Sequence, residues 1–296
     1  MDVKFEKLHF GYTRKREILH GIDLTLPANK FIAILGPNGC GKTTMVKQIN
    51  QILRAQTGTV RVGDQVVSQL EPSQLAKMIA YVPQMTSGVM NGSVMDTVML
   101  GRRPYIQWKP TDADVEIVAN ALIRLNISHL SQRLFNQLSG GQKQTVLIAR
   151  ARAQAPDIYL FDEPVSFLDV RNQLEIMAIG RELVEQDGKT VIMVLHDLNM
   201  ALRFADHVVI MKDGNVFAQG SPRDVITEEN ILAVYGTHAQ IRNGEYVITS
   251  LYTGSPGAKT PGGFVRLRRD VCETGSKRSH KEIRGADCPG PCGSNH

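Results

Sequence analysis

The residues with the clearest chemical potential form one short stretch, Gly36-Pro37-Asn38-Gly39-Cys40-Gly41-Lys42-Thr43-Thr44. This stretch carries every fixed position of the phosphate-binding pattern G-x-x-x-x-G-K-T, and we call it the P-loop. Its glycines let successive backbone N–H groups face a polyphosphate, and a following helix would add its positive dipole end. Lys42 can place a cation on the outer phosphates, and the Thr43 hydroxyl can ligate Mg²⁺. The stretch therefore predicts a site for a nucleoside triphosphate.

Two acidic residues form the second chemical feature. Asp162 and Glu163 directly follow the apolar run 158–161. In a protein that binds a triphosphate, the first carboxylate can hold the Mg²⁺ shell and the second can polarise an attacking water. The alternative is a pair of solvated acids at the end of a strand. Beside a complete P-loop, the catalytic interpretation is the stronger one.

The elements around these residues alternate between strands and helices. Apolar or alternating runs at 3–10, 22–26, 58–64, 79–82, 158–161 and 191–195 predict strands. Helices are expected at 45–52, after a cap at Thr111, and at 143–155, 170–185 and 228–235. Hairpins are expected at 208–218 and around Asn243-Gly244. The pattern predicts an α/β fold with a mainly parallel central sheet, an antiparallel β subdomain and a helical insertion at about 93–155.

Composition narrows the class of protein. The chain has 296 residues, 42% of them hydrophobic and 21% charged, as in a globular protein. No apolar run reaches the roughly 18 to 20 residues that a membrane-spanning helix needs. The first residues also lack the pattern of a secretory signal, so we expect a cytoplasmic protein.

Charge and cysteines divide the chain near residue 253. The net charge is +5, but the residues before 253 hold 26 basic and 25 acidic side chains, which leaves no electrostatic footprint for nucleic acid. Cys40 is the one cysteine in this part, as suits a reducing compartment. We expect one nucleotide-binding domain at 1–252 and a disordered basic extension at 253–296. Cys272, Cys288 and Cys292 in that extension could bind zinc, although a flexible segment without a fixed role is favoured.

Further motifs give the chain a family resemblance. Leu138-Ser139-Gly140-Gly141-Gln142 resembles the signature sequence of the ATP-binding cassette (ABC) family. The other elements of that family follow its order, namely an aromatic residue at Tyr12, the glutamine loop at Gln84, the D-loop at Ser166-Phe167-Leu168-Asp169 and the switch histidine at His196. The resemblance covers about residues 3–251.

The resemblance implies a mechanism shared between two copies of the chain. Two cassettes would pack head to tail, with each ATP between the P-loop of one copy and the signature of the other. Tyr12 would stack on adenine, residues 139–142 would contact the γ-phosphate, and Asp169 would cross the interface. Glu163 would be the general base, His196 would stabilise the transferring phosphate, and Gln84 would reach the metal and the water. Mg²⁺ would be held through Thr43, Asp162 and Gln84.

Looser sequence similarities suggest a subfamily. The segments at 101–105, 136–141, 166–169, 195–199 and 220–235 are similar to ATPases of iron–siderophore, haem and cobalamin importers. Such an importer implies permease subunits in the membrane, an indirect link to a substrate-binding protein, and a position on the cytoplasmic face of the membrane. The alternative is a soluble ABC ATPase in an assembly complex, such as one for iron–sulfur clusters.

Two positions depart from the family pattern. Cys40 stands where serine or alanine is common in the P-loop, which adds a possible thiol liability. Phe167 stands where the D-loop usually has a small residue, which affects the expected packing at the interface between copies.

Overall fold

The computed structural model describes residues 1–13, 16–84, 91–166, 168–242 and 245–251. Its strands are β1 (Val3–Thr13), β2 (Arg16–Leu26), β3 (Phe31–Leu35), β4 (Thr57–Val62), β5 (Gln65–Val66), β6 (Ile79–Val82), β7 (Ile158–Asp162), β8 (Thr190–Val194), β9 (His207–Lys212), β10 (Asn215–Gly220), β11 (Thr237–Arg242) and β12 (Glu245–Leu251). Its α-helices are α1 (Lys42–Ile49), α2 (Pro72–Met78), α3 (Val94–Met99), α4 (Asp112–Arg124), α5 (Gly140–Ala153), α6 (Val170–Glu185), α7 (Leu198–Phe204), α8 (Pro222–Val225) and α9 (Glu228–Tyr235).

The central sheet has the strand order β10-β9-β3-β8-β7-β6. Every pairing in it is parallel except that of β9 with β10. All residues of β3, β7 and β8 are buried, which agrees with their continuous apolar sequences, because parallel strands are covered on both faces. The predicted α/β fold with a mainly parallel sheet is confirmed.

A second sheet covers one face of the central sheet. It has the order β2-β1-β4-β5, and its pairings are antiparallel. Phe5, Leu24 and Val60 from this sheet share a buried cluster with Ile34 of β3 and Met45 of α1. The cluster places the antiparallel subdomain beside the P-loop.

The helical insertion packs on the opposite face. Val98 of α3, Leu122 of α4 and Ile148 of α5 belong to the second buried cluster. A buried ion pair ties the insertion together, since Arg102 Nε lies 2.9 Å from Asp114 Oδ1. Arg102 also donates to the Ala153 carbonyl at the end of α5. The paired charges and their hydrogen bonds offset the cost of burying both groups.

Several boundaries differ from those expected from the sequence. The helix α5 begins at Gly140, because Ser139 and Gln142 form a capping box that starts it three residues earlier than predicted. The helix α1 likewise begins at Lys42, directly after Gly41 in the left-handed region. The strand β2 extends back to Arg16, because its residues pair with the far end of β1 although their polar character hides a strand.

The remaining predictions near the C-terminus have mixed outcomes. The hairpin of β9 and β10, the helix α9 and the antiparallel pairing of β11 with β12 are confirmed. Phe167, the Asn243-Gly244 turn and the extension at 253–296 with its cysteines lie outside the described residues. Within the described ranges, no helix has both the length and the apolar character that crossing a membrane requires.

Candidate active site

One edge of the central sheet collects the predicted chemical residues. The neighbouring parallel strands β3, β8, β7 and β6 all present their carboxyl ends there. The P-loop follows β3, His196 follows β8, Asp162 ends β7, and Gln84 follows β6. Ligand sites in open α/β sheets form at this edge because the loops after parallel strands meet there.

The P-loop conformation depends on glycine. Gly36 has φ 145° and Gly41 has φ 102°, values that glycine adopts far more readily than other residues. A Cβ at Gly36 would also collide with the Met211 carbonyl oxygen. The helix α1 starts after Gly41 without a side-chain cap, so its first N–H groups are available to an anion.

The Lys42 side chain lies inside the P-loop. It is buried, and its Nζ donates to the Gly36 carbonyl at 2.9 Å and to the Pro37 carbonyl at 3.0 Å. These bonds hold the cation within the curve of the P-loop. Phosphate oxygens entering this curve would meet Lys42 together with the backbone N–H groups of α1.

The Asp162 carboxylate is buried, and each of its oxygens accepts a hydrogen bond. Its exposed fraction is 3%, and Thr43 Oγ1 donates to its Oδ1 at 2.7 Å. Tyr81 Oη donates to Oδ2 at 2.8 Å. Burial is the largest cause that raises the pKa of Tyr81 well above its usual value, and the nearby Asp162 charge raises it further. The phenol therefore stays protonated and remains a donor.

These groups fit Mg²⁺. Thr43 and Asp162 supply oxygen donors, which Mg²⁺ prefers, and the ion usually takes only one or two carboxylates along with substrate phosphates and water. In the described part of the chain, no cluster of three or more His, Cys, Asp or Glu residues could hold a metal by itself.

The Glu163 carboxylate contacts two other predicted site residues, Gln84 and His196. Gln84 Nε2 donates to its Oε2 at 3.0 Å, and His196 Nε2 lies 2.8 Å from its Oε1. The Ser166 hydroxyl also donates to Oε2, at 3.3 Å. The backbone of Glu163 has φ 50°, in the left-handed region that residues other than glycine rarely adopt. The structure thus joins the proposed base, the switch histidine and the loop glutamine in one group.

A cavity of about 450 Å³ adjoins the P-loop. It is lined by P-loop residues, by Glu163, and by Tyr12, Arg16 and Ile18 from the antiparallel sheet. The Tyr12 ring is 61% exposed, packs edge-on against Phe10, and has its hydroxyl 3.3 Å from Thr44 Oγ1. An exposed ring held beside the P-loop is suited to stacking on a nucleotide base.

Cys40 is buried at the back of the P-loop. Its carbonyl accepts from the Gly214 N–H at 3.2 Å, and 5% of the residue is exposed. Burial raises the pKa of its thiol. Because the thiolate is the reactive form, Cys40 is expected to behave as a packing residue rather than a reactive one.

The signature residues lie apart from this cavity. Ser139 caps α5 by accepting from the Gln142 N–H at 3.3 Å, and residues 139–142 are not among those that line the P-loop cavity. Asp169 caps α6 by accepting from the Asn172 N–H at 2.9 Å. A Cβ at Gly141 would approach the Asn172 side chain to 2.8 Å. Asn172 therefore links the signature to Asp169 in a second group, separate from the P-loop.

Tyr81, Ser166 and Asn172 received no individual role from the sequence. Tyr81 stood within an apolar run and was expected only to form a strand. The sequence signal that could have indicated a role for Tyr81 was its hydroxyl, which lies in a buried strand that leads directly to Gln84. Arg16 and Ile18, which line the cavity, had no recognisable motif.

The sequence of this chain is similar to those of known proteins. A family profile described as ABC transporter matches residues 19–166. An uncharacterized ABC transporter ATP-binding protein of Methanocaldococcus jannaschii is 42% identical over 243 residues, or 82% of this chain and 94% of that protein. The petrobactin import ATP-binding protein of Bacillus anthracis is 34% identical, with 92% of this chain and 97% of that protein covered.

Solved structures add relatives in fold. One similar structure is a chain of an ABC transporter described as metal-chelate type, in an inward-facing conformation. The TM-score is 0.73 and the sequence identity is 30%, and the match covers 85% of this chain and 98% of the transporter chain. An ATP-binding cassette in a dimeric post-hydrolysis state, bound to ADP and Pi, has a TM-score of 0.66 and 29% identity. The match covers 75% of this chain and 99% of the cassette chain.

Proposed function

Because the chain belongs to the ABC transporter family, and is thus an ATP-binding protein and an ATPase, we propose that it powers an import system. The proposed cargo is an iron(III)–siderophore, haem or cobalamin type substrate. The observation that carries the proposal is the grouping of Gln84, Glu163 and His196 beside a complete P-loop and Asp162. The similarity to a petrobactin import protein and to a metal-chelate type transporter supports this class of cargo.

Nucleotide binding follows from the P-loop geometry. The uncapped N–H groups of α1 would donate to the phosphates, and Lys42 would exchange its two loop carbonyls for phosphate oxygens. Tyr12 would pack on the adenine. Thr43 and Asp162 would hold Mg²⁺, with Gln84 reaching it from the adjacent loop, and the ion when bound neutralises charge on the outer phosphates.

Hydrolysis needs a base beside the γ-phosphate. Glu163 would accept a proton from the attacking water at its carboxylate. In the structure Gln84 and His196 both contact this carboxylate, and these contacts fix its position. His196 would then donate to the γ-phosphate as negative charge develops there.

The separation of the signature from the P-loop cavity supports a site completed by a second copy. Ser139 caps α5, a 14-residue helix that begins with Gly140, Gly141 and Gln142, and the N-terminus of this helix would favour the γ-phosphate held by the partner copy. Asp169 accepts a hydrogen bond from the Asn172 side chain, which lies next to these residues, and Asp169 would take part in the same interface. The similarity to a dimeric cassette bound to ADP and Pi supports this arrangement.

A cleft of about 460 Å³ is a candidate contact surface for the permease. It lies between the sheet and the helical insertion, where Tyr81, Leu100 and Arg150 are among its lining residues. Leu100, one of these lining residues, is an apolar side chain that is 53% exposed. Such a surface suits a membrane partner that would keep the chain at the cytoplasmic face. Names that refer to import among its relatives favour this role over the soluble assembly alternative.

The proposed cargo can be tested with the complete transport complex. The chain is purified with its permease, placed in vesicles with the substrate-binding protein, and assayed for ATPase activity with iron–siderophore, haem and cobalamin. We expect one of these substrates to raise the rate, because import couples hydrolysis to cargo. Co-purification with an iron–sulfur scaffold, and no stimulation by any of the three, would contradict the importer assignment.

The proposed domain boundary predicts that removing residues 253–296 leaves ATP hydrolysis unchanged. The reason is that the P-loop, Glu163 and the signature all lie before residue 252, within the first compact unit of the chain. The measurement compares kcat and KM for ATP in the full and shortened chains. A shortened chain that binds ATP but hydrolyses it slowly would assign the extension a part in the domain.

A further inference from the structure

The Tyr81 hydroxyl is brought to Asp162 by the pairing of two strands. The strand β6 runs parallel to β7, with Tyr81 opposite Leu160. Asp162 lies two residues beyond Leu160, and alternate residues of a strand point to the same face. Tyr81 and Asp162 therefore share a face of the sheet, which allows the 2.8 Å hydrogen bond to Oδ2.

The two oxygens of Asp162 have different partners. Oδ1 accepts from Thr43, on the side where the P-loop lies, and Oδ2 accepts from Tyr81. Because Asp162 is almost fully buried, water cannot readily replace a lost donor. A buried acceptor without a partner is costly, so the carboxylate would turn to recover a hydrogen bond. That rotation would move Oδ1 away from Thr43.

We infer that Tyr81 is a positioning residue, whose hydroxyl holds Asp162 with Oδ1 directed at Thr43 and thereby sets the affinity of the site for Mg²⁺. Tyr81 acts through Asp162 and is not itself a metal ligand. The inference rests on the proposed function only in that Thr43 and Asp162 serve the metal bound with ATP. Groups that hydrogen-bond to metal ligands commonly account for about 10- to 100-fold in metal affinity.

The test uses Tyr81→Phe in the full chain. Phenylalanine keeps the ring that lines the cleft beside β6 and removes only the hydroxyl. Binding of a fluorescent ATP analogue is measured in EDTA and at increasing Mg²⁺. We expect unchanged affinity in EDTA and an increase of about 10-fold or more in the Mg²⁺ concentration for half-maximal enhancement of binding. The EPR spectrum of Mn²⁺ bound with ADP should also change, because its ligand geometry is altered.

Tyr105→Phe is the matched control. The Tyr105 hydroxyl donates to the Gln154 carbonyl at 3.1 Å rather than to Asp162. This variant also loses one tyrosine hydroxyl and one hydrogen bond, so it reports the general cost of such a change. We expect its nucleotide binding and its Mg²⁺ requirement to match those of the wild type.

Three outcomes would overturn the inference. The first is a Tyr81→Phe variant with the Mg²⁺ requirement and Mn²⁺ spectrum of the wild type; the proposed function would then stand without a role for Tyr81. The second is an equal loss of affinity with and without metal, which would indicate a general structural effect. The third is a wild type whose nucleotide binding ignores Mg²⁺, which would remove the metal site as well. A failure of substrate stimulation in the transport complex would leave the Tyr81 result intact.

Discussion

Glu163→Gln is expected to lower the rate of ATP hydrolysis by about 10² to 10⁴, the usual loss when a general base is removed. The glutamine side chain has the same length, and its oxygen can still accept from Gln84 and Ser166. The site should therefore keep its shape and bind ATP with nearly unchanged affinity. Without hydrolysis, the ATP-bound pair of copies should accumulate as a dimer.

Single-turnover hydrolysis, ATP binding and size-exclusion chromatography with ATP check this prediction together. Glu175→Gln is the matched control, because Glu175 is exposed on α6 and pairs only with the exposed Arg171 in the described contacts. The control should hydrolyse ATP at the wild-type rate. Near-normal hydrolysis in Glu163→Gln would instead remove Glu163 from its assigned role.

His196→Ala is the second large effect that we expect, with kcat lower by about 10² to 10³ and KM for ATP little changed. This is the range for removing one group that stabilises charge developing in the transition state. The His196 side chain is 42% exposed, so its loss creates no buried cavity and should not unfold the domain. The effect should therefore fall on the chemical step.

His129→Ala supplies the control for this variant. His129 is an exposed histidine in a short 3-10 helix (Ser128–Leu130) after α4, outside the P-loop cavity. Both variants are compared by steady-state kinetics and thermal unfolding. If His196→Ala instead raised KM with an unchanged kcat, His196 would contribute to binding the ground state rather than to hydrolysis.

The sequence was sufficient to predict features that depend on local patterns. The P-loop follows from its spacing, and the buried strands β3, β7 and β8 follow from continuous apolar runs. The edge of the sheet where Gln84, Asp162 and His196 meet follows once those strands are known to be parallel. Their individual roles stay predictions that the proposed variants test.

The sequence was insufficient for features that depend on contacts between distant residues. The bond from Tyr81 to Asp162 joins residues 81 positions apart, and only the register of β6 against β7 brings them together. The extension of β2 to Arg16 likewise depends on its pairing with β1 rather than on its own polar residues. Local propensity carries no information about such partners.

At Glu163, the backbone conformation favours glycine, whereas the proposed role in hydrolysis requires a carboxylate. A non-glycine residue at φ 50° is strained, whereas glycine would adopt that conformation with little penalty. A stabilising redesign guided by backbone preference alone would choose glycine there and would discard the carboxylate. The chain has glutamate at this unfavourable angle, which is the trade-off between stability and activity expected if Glu163 acts as the proposed general base.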